Sequence, residues 1–264
     1  MSVIVAGISL NVSAYPLLER CKVTVMSPIY DSLQRILERI DSARQRAGRS
    51  DQVGLMLAVK TQTPQTIVQA TNALATLRPG PVVLGHNRVQ EMVASGPALA
   101  EPEVAAHQMR LIGPLQHNKI NHMLRWADGI ETIASLELAN RLEAACQRQE
   151  RQLDVMVQVN VSGEETKSGV SPEAALDLAC QVGELKCLNL IGLMTIGLNS
   201  SQEAPVRAGY ARLRELAQEI AASGAPGTAT CTQLSMGMTN DIEWAIAEGS
   251  TQVRVGRAVF GERN

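Results

Sequence analysis

The chain has 264 residues, with 24 basic against 26 acidic side chains and 45% hydrophobic ones. This length suits one α/β barrel with a sizeable core, and the near-neutral balance without runs of one sign excludes a nucleic-acid arm or a membrane-surface patch. Six aromatic residues in all exclude a base-stacking platform.

Residues 1–26 read as an N-terminal extension ahead of the regular pattern, expected to be poorly ordered, with Met26 as an alternative start. No Lys or Arg precedes Arg20, so the positive region of a secretory leader is missing. No apolar run reaches the roughly 18 residues of a membrane span. Residues 27–264 then form the predicted domain. Its first helix covers 27–47, with Ser27 as N-cap, Pro28 in the first turn and Gly48 as terminator. Eight short apolar runs follow, at 53–59, 81–84, 109–113, 130–133, 153–161, 188–194, 232–235 and 251–255. Between them lie helical stretches near 64–76, 87–99, 115–126, 135–151, 171–184, 202–223 and 239–248, and a short turn follows Gly256. Strand–helix alternation predicts parallel strands with crossover helices, and eight repeats predict a closed (β/α)8 barrel. A Rossmann-like sheet is the competing architecture, but no G-x-G-x-x-G follows the first strand. The five cysteines include no C-x-x-C pair, and His117 and His122 lie off the i,i+4 spacing of two helical metal ligands. Neither a disulfide framework nor a zinc site is expected, and a reducing cytoplasm fits this cysteine usage.

In such barrels the chemistry sits at the mouth where the strands end. Lys60 closes an almost wholly apolar run, Leu55-Met56-Leu57-Ala58-Val59. Partial desolvation there favours a neutral amine, which attacks aldehydes. A cationic stem that snorkels into solvent would satisfy the same position. Ser235 and Gly237 at the seventh run, with Gly256 and Arg257 after the eighth, supply the parts of a phosphate site. The glycines admit close backbone approach, N–H groups point at the anion, and the Ser235 hydroxyl donates. Tight turns need the same glycines. Arg254, the last polar side chain of the eighth run, requires an acceptor: a cofactor ring nitrogen, or a carboxylate such as Glu243 or Glu262. Asn87 opens the helix after the second run, where Arg88 and Glu91 read as an N-cap and a solvated face, or by their spacing as a helix-face pair. Met194 either packs on a ligand ring or joins the core.

Seven blocks in order carry a resemblance to a known family. They are Ala58-Val59-Lys60-Thr61; Leu84-Gly85-His86-Asn87-Arg88-Val89-Gln90-Glu91; Leu111 through Lys119; Gln158-Val159-Asn160-Val161-Ser162 with Lys167-Ser168-Gly169; Ile191-Gly192-Leu193-Met194; Leu234-Ser235-Met236-Gly237-Met238 through Asp241; and Gly249 through Gly261. Over residues 28–263 the chain resembles the pyridoxal phosphate homeostasis proteins. The resemblance implies a fold like the barrel domain of alanine racemase without its second domain. It implies pyridoxal 5′-phosphate (PLP) held by a Schiff base on Lys60, with Ser235, Gly237 and Gly256 at the phosphate. Arg254 would lie at the pyridine nitrogen, and Asn87 and Met194 near the ring. It also implies a monomeric, non-catalytic role in PLP and amino-acid homeostasis, with PLP and apo PLP-dependent enzymes as partners.

Three residues depart from the family pattern: Val59 stands for Ser, His86 for Glu, and Arg257 for a Ser or Thr that donates to phosphate. The alternative function is a PLP-dependent racemase-like enzyme of weak activity. Racemization needs a base on each ring face, and the only tyrosines, Tyr15, Tyr30 and Tyr210, are not at strand ends. A Schiff-base aldolase is a third reading, but such enzymes generally carry the lysine on the sixth strand, which here ends in Met194-Thr195.

Overall fold

The computed structural model describes residues 27–164 and 167–261. In chain order the elements are α1 (Pro28–Arg46), β1 (Gly54–Ala58), α2 (Pro64–Leu77), β2 (Val82–His86), α3 (Val89–Leu99), β3 (His107–Leu111), α4 (Ile120–Leu124), β4 (Gly129–Ile133), α5 (Leu136–Arg148), β5 (Leu153–Gln158), α6 (Pro172–Gly183), β6 (Leu188–Met194), α7 (Glu203–Ala222), β7 (Gln233–Ser235), α8 (Ile242–Ala247), β8 (Gln252–Val255) and α9 (Arg257–Phe260). The strands pair in parallel in chain order and β8 returns to β1, which closes the predicted eight-stranded barrel. The extension expected at 1–26 lies outside the described residues.

Local chemistry starts the helices where the sequence predicts. Ser27 caps α1 by accepting the Tyr30 N–H on its hydroxyl, Pro28 opens the helix, and Arg44 and Arg46 close it near the negative end of the dipole. Its buried stripe is Leu33, Ile36, Leu37, Ile40 and Ala43, the spacing of one helical face. Thr63 and Ser135 cap α2 and α5 in the same way.

Several bounds differ from the sequence expectation. The helix expected at 115–126 is a 3₁₀ turn, His117–Lys119, followed by the five-residue α4. β5 stops at Gln158 because Asn160 turns the chain: its side-chain amide donates to the carbonyls of Glu164 and Lys167. α8 starts at Ile242 rather than near 239, because the Asp241 carboxylate accepts the Met238 N–H and ties that segment into a turn.

The two faces of the barrel wall differ in kind. Outward residues such as Leu55, Leu57, Val59, Leu84, Leu111, Val155, Val157, Val253 and Val255 join one apolar layer with the helices. The inward positions alternate with these and carry Met56, Arg110, Glu131, Met156, Ser235, Gln252 and Arg254, all buried. The period-2 rule therefore explains two of the departures from the family pattern. Val59 points out into the apolar layer. His86 is fully buried on the outward side of β2, with its Nε2 3.0 Å from the Ser95 hydroxyl of α3. Lys60 has the parity of Met56 and Ala58, which places it on the inner side.

Candidate functional site

The strand ends surround a cavity of about 740 Å³. Lys60, Asn87, Met194, Arg254, Gly256 and Arg257 all line it. A second hollow of about 290 Å³ beside His117, Arg141 and Arg148 gathers no strand-end residue. The large cavity therefore brings together six predicted site residues from β1, β2, β6 and β8.

Lys60 is half-buried and follows β1 in a turn closed by the Gln62 N–H on the Val59 carbonyl. Thr61, third in that turn, has φ of +66°. A β-branched residue in the left-handed region is strained, and such strain concentrates at functional sites. The Gly256 turn lies against β1: a Cβ on Gly256 would come within 2.9 Å of the Ala58 carbonyl oxygen. Arg257 begins α9 and is exposed on the cavity rim.

Arg254 reaches up from the barrel floor and makes three hydrogen bonds, which leaves guanidinium N–H groups to spare. Its Nη1 donates to the Ser235 carbonyl at 2.7 Å and to the Ser235 hydroxyl at 2.8 Å, and its Nη2 donates to the Thr195 carbonyl at 2.6 Å. Burial pulls its pKa below the ordinary arginine range, while Glu131, Tyr210 and Asp241 pull it back up. Of the two carboxylates named as partners from sequence, Glu243 is engaged elsewhere. Glu243 pairs with Arg39 of α1 at 2.5 Å, and Glu262 lies outside the described residues.

Ser235 and Gly237 are not in the cavity wall. The Ser235 hydroxyl is fully buried and donates to Glu131 at 2.6 Å, because strand parity turns it into the barrel. Gly237 has φ of +93°, and a Cβ there would sit 2.4 Å from the Ala245 Cβ, so its role is a tight turn against α8. Arg88 takes the N-cap position of α3, and no ion pair joins it to Glu91 among the described residues. Arg88 is exposed and one Glu91 oxygen is buried without a partner.

The loops that roof the cavity add residues beyond the strand ends. Lys167 reaches from the β5–α6 loop, donating to Glu164 at 2.6 Å and to the Gly197 carbonyl at 2.8 Å. Gly197 in turn packs on the Tyr210 ring of α7, whose hydroxyl donates to Asp241 at 2.8 Å. Burial, then the Asp241 charge, push that phenol well above its usual range. Lys167 stood inside a recognised motif, and Asp241 ended another. The 196–201 segment has no comparable signal. Among the described residues the lining includes four cationic side chains, Lys60, Lys167, Arg254 and Arg257, against the one carboxylate of Asp241. This imbalance favours an anionic ligand.

Comparison with known proteins then places the molecule. The family model for the alanine racemase N-terminal domain matches residues 32–264. A pyridoxal phosphate homeostasis protein of Aquifex aeolicus is 37% identical over 88% of this chain and 97% of its own length. The chain belongs to the pyridoxal phosphate homeostasis protein family. Among solved structures, an unknown protein from Bifidobacterium adolescentis superposes with a TM-score of 0.82, at 41% identity over 88% of this chain and 94% of that one. PipY of Synechococcus elongatus, solved with PLP bound, superposes with a TM-score of 0.73 at 28% identity over 88% of this chain and all of that one. No helix of the described residues is long and apolar enough to cross a membrane, and no cluster of metal-ligating side chains occurs among them.

Proposed function

We propose that the chain binds PLP through a Schiff base on Lys60 and acts in PLP and amino-acid homeostasis without catalytic turnover. The observation that carries this reading is that the Lys60 amine and the Arg254 guanidinium line one cavity from adjoining strands, β1 and β8. The residues present fit the group. A cavity rich in cations and poor in carboxylates suits a phosphate, and the Gly256 turn with Arg257 would hold it. Asn87 and Met194 would flank the ring. Ser235 and Gly237 would act from behind the wall, Ser235 by anchoring Arg254 and Gly237 by shaping the loop. The Arg257 side chain would supply donors where relatives of the resembled pattern carry a hydroxyl.

Bound there, PLP offers an aldehyde to the amine and a ring whose electron-withdrawing power depends on protonation of its nitrogen. Arg254 has no proton-accepting atom and stays charged, so it donates to that nitrogen rather than sharing a proton with it. Relative to a carboxylate at that place, this weakens the ring as an electron sink, and with it carbanion chemistry. Tyr210 is committed to Asp241 behind Gly197, and no tyrosine lines the cavity among the described residues. Among the described residues the weak racemase-like alternative therefore lacks a tyrosine as second base there. The remaining parts of the reading are a monomer in the cytoplasm and transfer of PLP to apo enzymes.

The test is optical. Purified protein mixed with PLP is expected to gain a near-visible absorption band that Lys60→Ala abolishes. An equal band in the variant would overturn the assignment. Rapid loss of optical rotation from L-alanine would instead establish the racemase-like alternative.

A further inference from the structure

Below the cavity floor lies a polar cluster that the cofactor reading does not use. Glu131, from the middle of β4, is only 1% exposed. Its Oε1 accepts from Gln252 Nε2 at 2.9 Å and from Arg110 Nη1 at 3.3 Å, and its Oε2 accepts from the Ser235 hydroxyl at 2.6 Å. The direction of every proton in the cluster is forced. An ionised carboxylate only accepts, a guanidinium only donates, and a serine hydroxyl has one proton. Ser235 spends that proton on Glu131. Its lone pairs must then face Arg254 Nη1 at 2.8 Å and Gln252 Nε2 at 3.3 Å.

We propose that Glu131 is the positioning residue for Arg254. By fixing the Ser235 proton it turns the serine oxygen into an acceptor, and so aims the Arg254 guanidinium at a nitrogen heteroaromatic ring seated in the cavity. This rests on the PLP reading and deepens it. The Glu131 carboxylate pairs directly with Arg110 at 3.3 Å and reaches Arg254 through the Ser235 hydroxyl. Replacing Glu131 by glutamine lets an amide N–H donate to Ser235. The hydroxyl proton then turns toward Arg254, and a donor meets a donor.

The test is PLP titration of the whole chain and three variants, Glu131→Gln, Ser235→Ala and the double replacement, read by absorption. Each single variant is expected to bind PLP on the order of tenfold more weakly, the loss of one charge-assisted hydrogen bond. Each should also move the near-visible band, while borohydride still traps PLP on Lys60. The double variant should be no weaker than either single one, because both cut the same chain. A purely structural role for Glu131 would lower the melting temperature and leave band and affinity unmoved, and that result overturns the proposal. So does a double variant whose losses multiply. Should Glu131→Gln fail to fold, Ser235→Ala decides alone, since it leaves the Arg110–Glu131 pair intact. A wild-type chain that takes up no PLP sinks the functional reading and this proposal together. A wild type that binds, beside variants that match it, sinks only the proposal.

Discussion

The His86 imidazole sits where acid should attack the fold. It is fully buried, its Nε2 meets the Ser95 hydroxyl, and its Nδ1 is buried with no hydrogen-bond partner. Ser95 also contacts the Glu91 and Met92 carbonyls at 3.0 and 3.2 Å, which take its proton, so Nε2 is the nitrogen that carries the hydrogen. Protonation would add an N–H at Nδ1 with nothing to receive it. Burial, and secondarily His107, accordingly lower the pKa from 6.5 to about 4. The unfolded chain therefore binds the proton more readily, and stability falls as the pH drops from 6.5 toward 4. Those two pKa values give a loss of about 2 kcal/mol between pH 7 and pH 5, and about 3 kcal/mol once pH 4 is passed. For a domain of this size, 2 kcal/mol corresponds to roughly 5 °C in melting temperature. The assay is thermal unfolding at pH 7 and pH 5 for the wild type and His86→Gln. Carboxylates titrate alike in both proteins, so the difference between the two pH slopes isolates the histidine. Equal slopes would refute the reasoning.

Three further outcomes follow from the geometry. Tyr210→Phe removes the only donor from α7 to Asp241 and is expected to cost about 1–2 kcal/mol in urea unfolding; no change would mean the roof loops are not tied through that hydroxyl. Gly237→Ala forces a Cβ onto Ala245 at a φ of +93° and should destabilise by more than about 2 kcal/mol, measured as the shift in denaturant midpoint. Arg39 holds the Glu243 carboxyl below its ordinary range, so this partly exposed pair stabilises above the unfolded pKa of 4.5 and loses its effect as the pH falls through the lower folded value. Arg39→Ala should thus cost up to about 1 kcal/mol at pH 7 and less in high salt or in acid, where the Arg39 contact to the Thr239 carbonyl remains, by pH-dependent unfolding.

The barrel was legible because its outward face is regular. Runs such as Leu55-Met56-Leu57 and Val155-Met156-Val157 flag strands, and Ser27 with Pro28 flags the first helix start. β3 was harder: it begins at His107 and Gln108, whose polarity masks a strand, and Gln108 accepts from Arg110 inside the barrel. The interior cluster was not legible at all, since pairing Glu131 with Ser235 and Gln252 depends on barrel closure across 104 and 121 residues of sequence. The same closure sets the direction of the Ser235 hydroxyl, which faces Glu131. A hydroxyl at a strand end looks like a mouth residue until strand parity turns it inward. Lys60 and Arg254 were legible because each is a lone cation at the end of an apolar run.

The most direct measurement is borohydride reduction of the PLP-treated chain followed by peptide mapping. The account predicts a stable pyridoxyl adduct on the peptide that contains Lys60, and on that lysine within it. An adduct confined to Lys167, or to surface amines in proportion to their exposure, would contradict it.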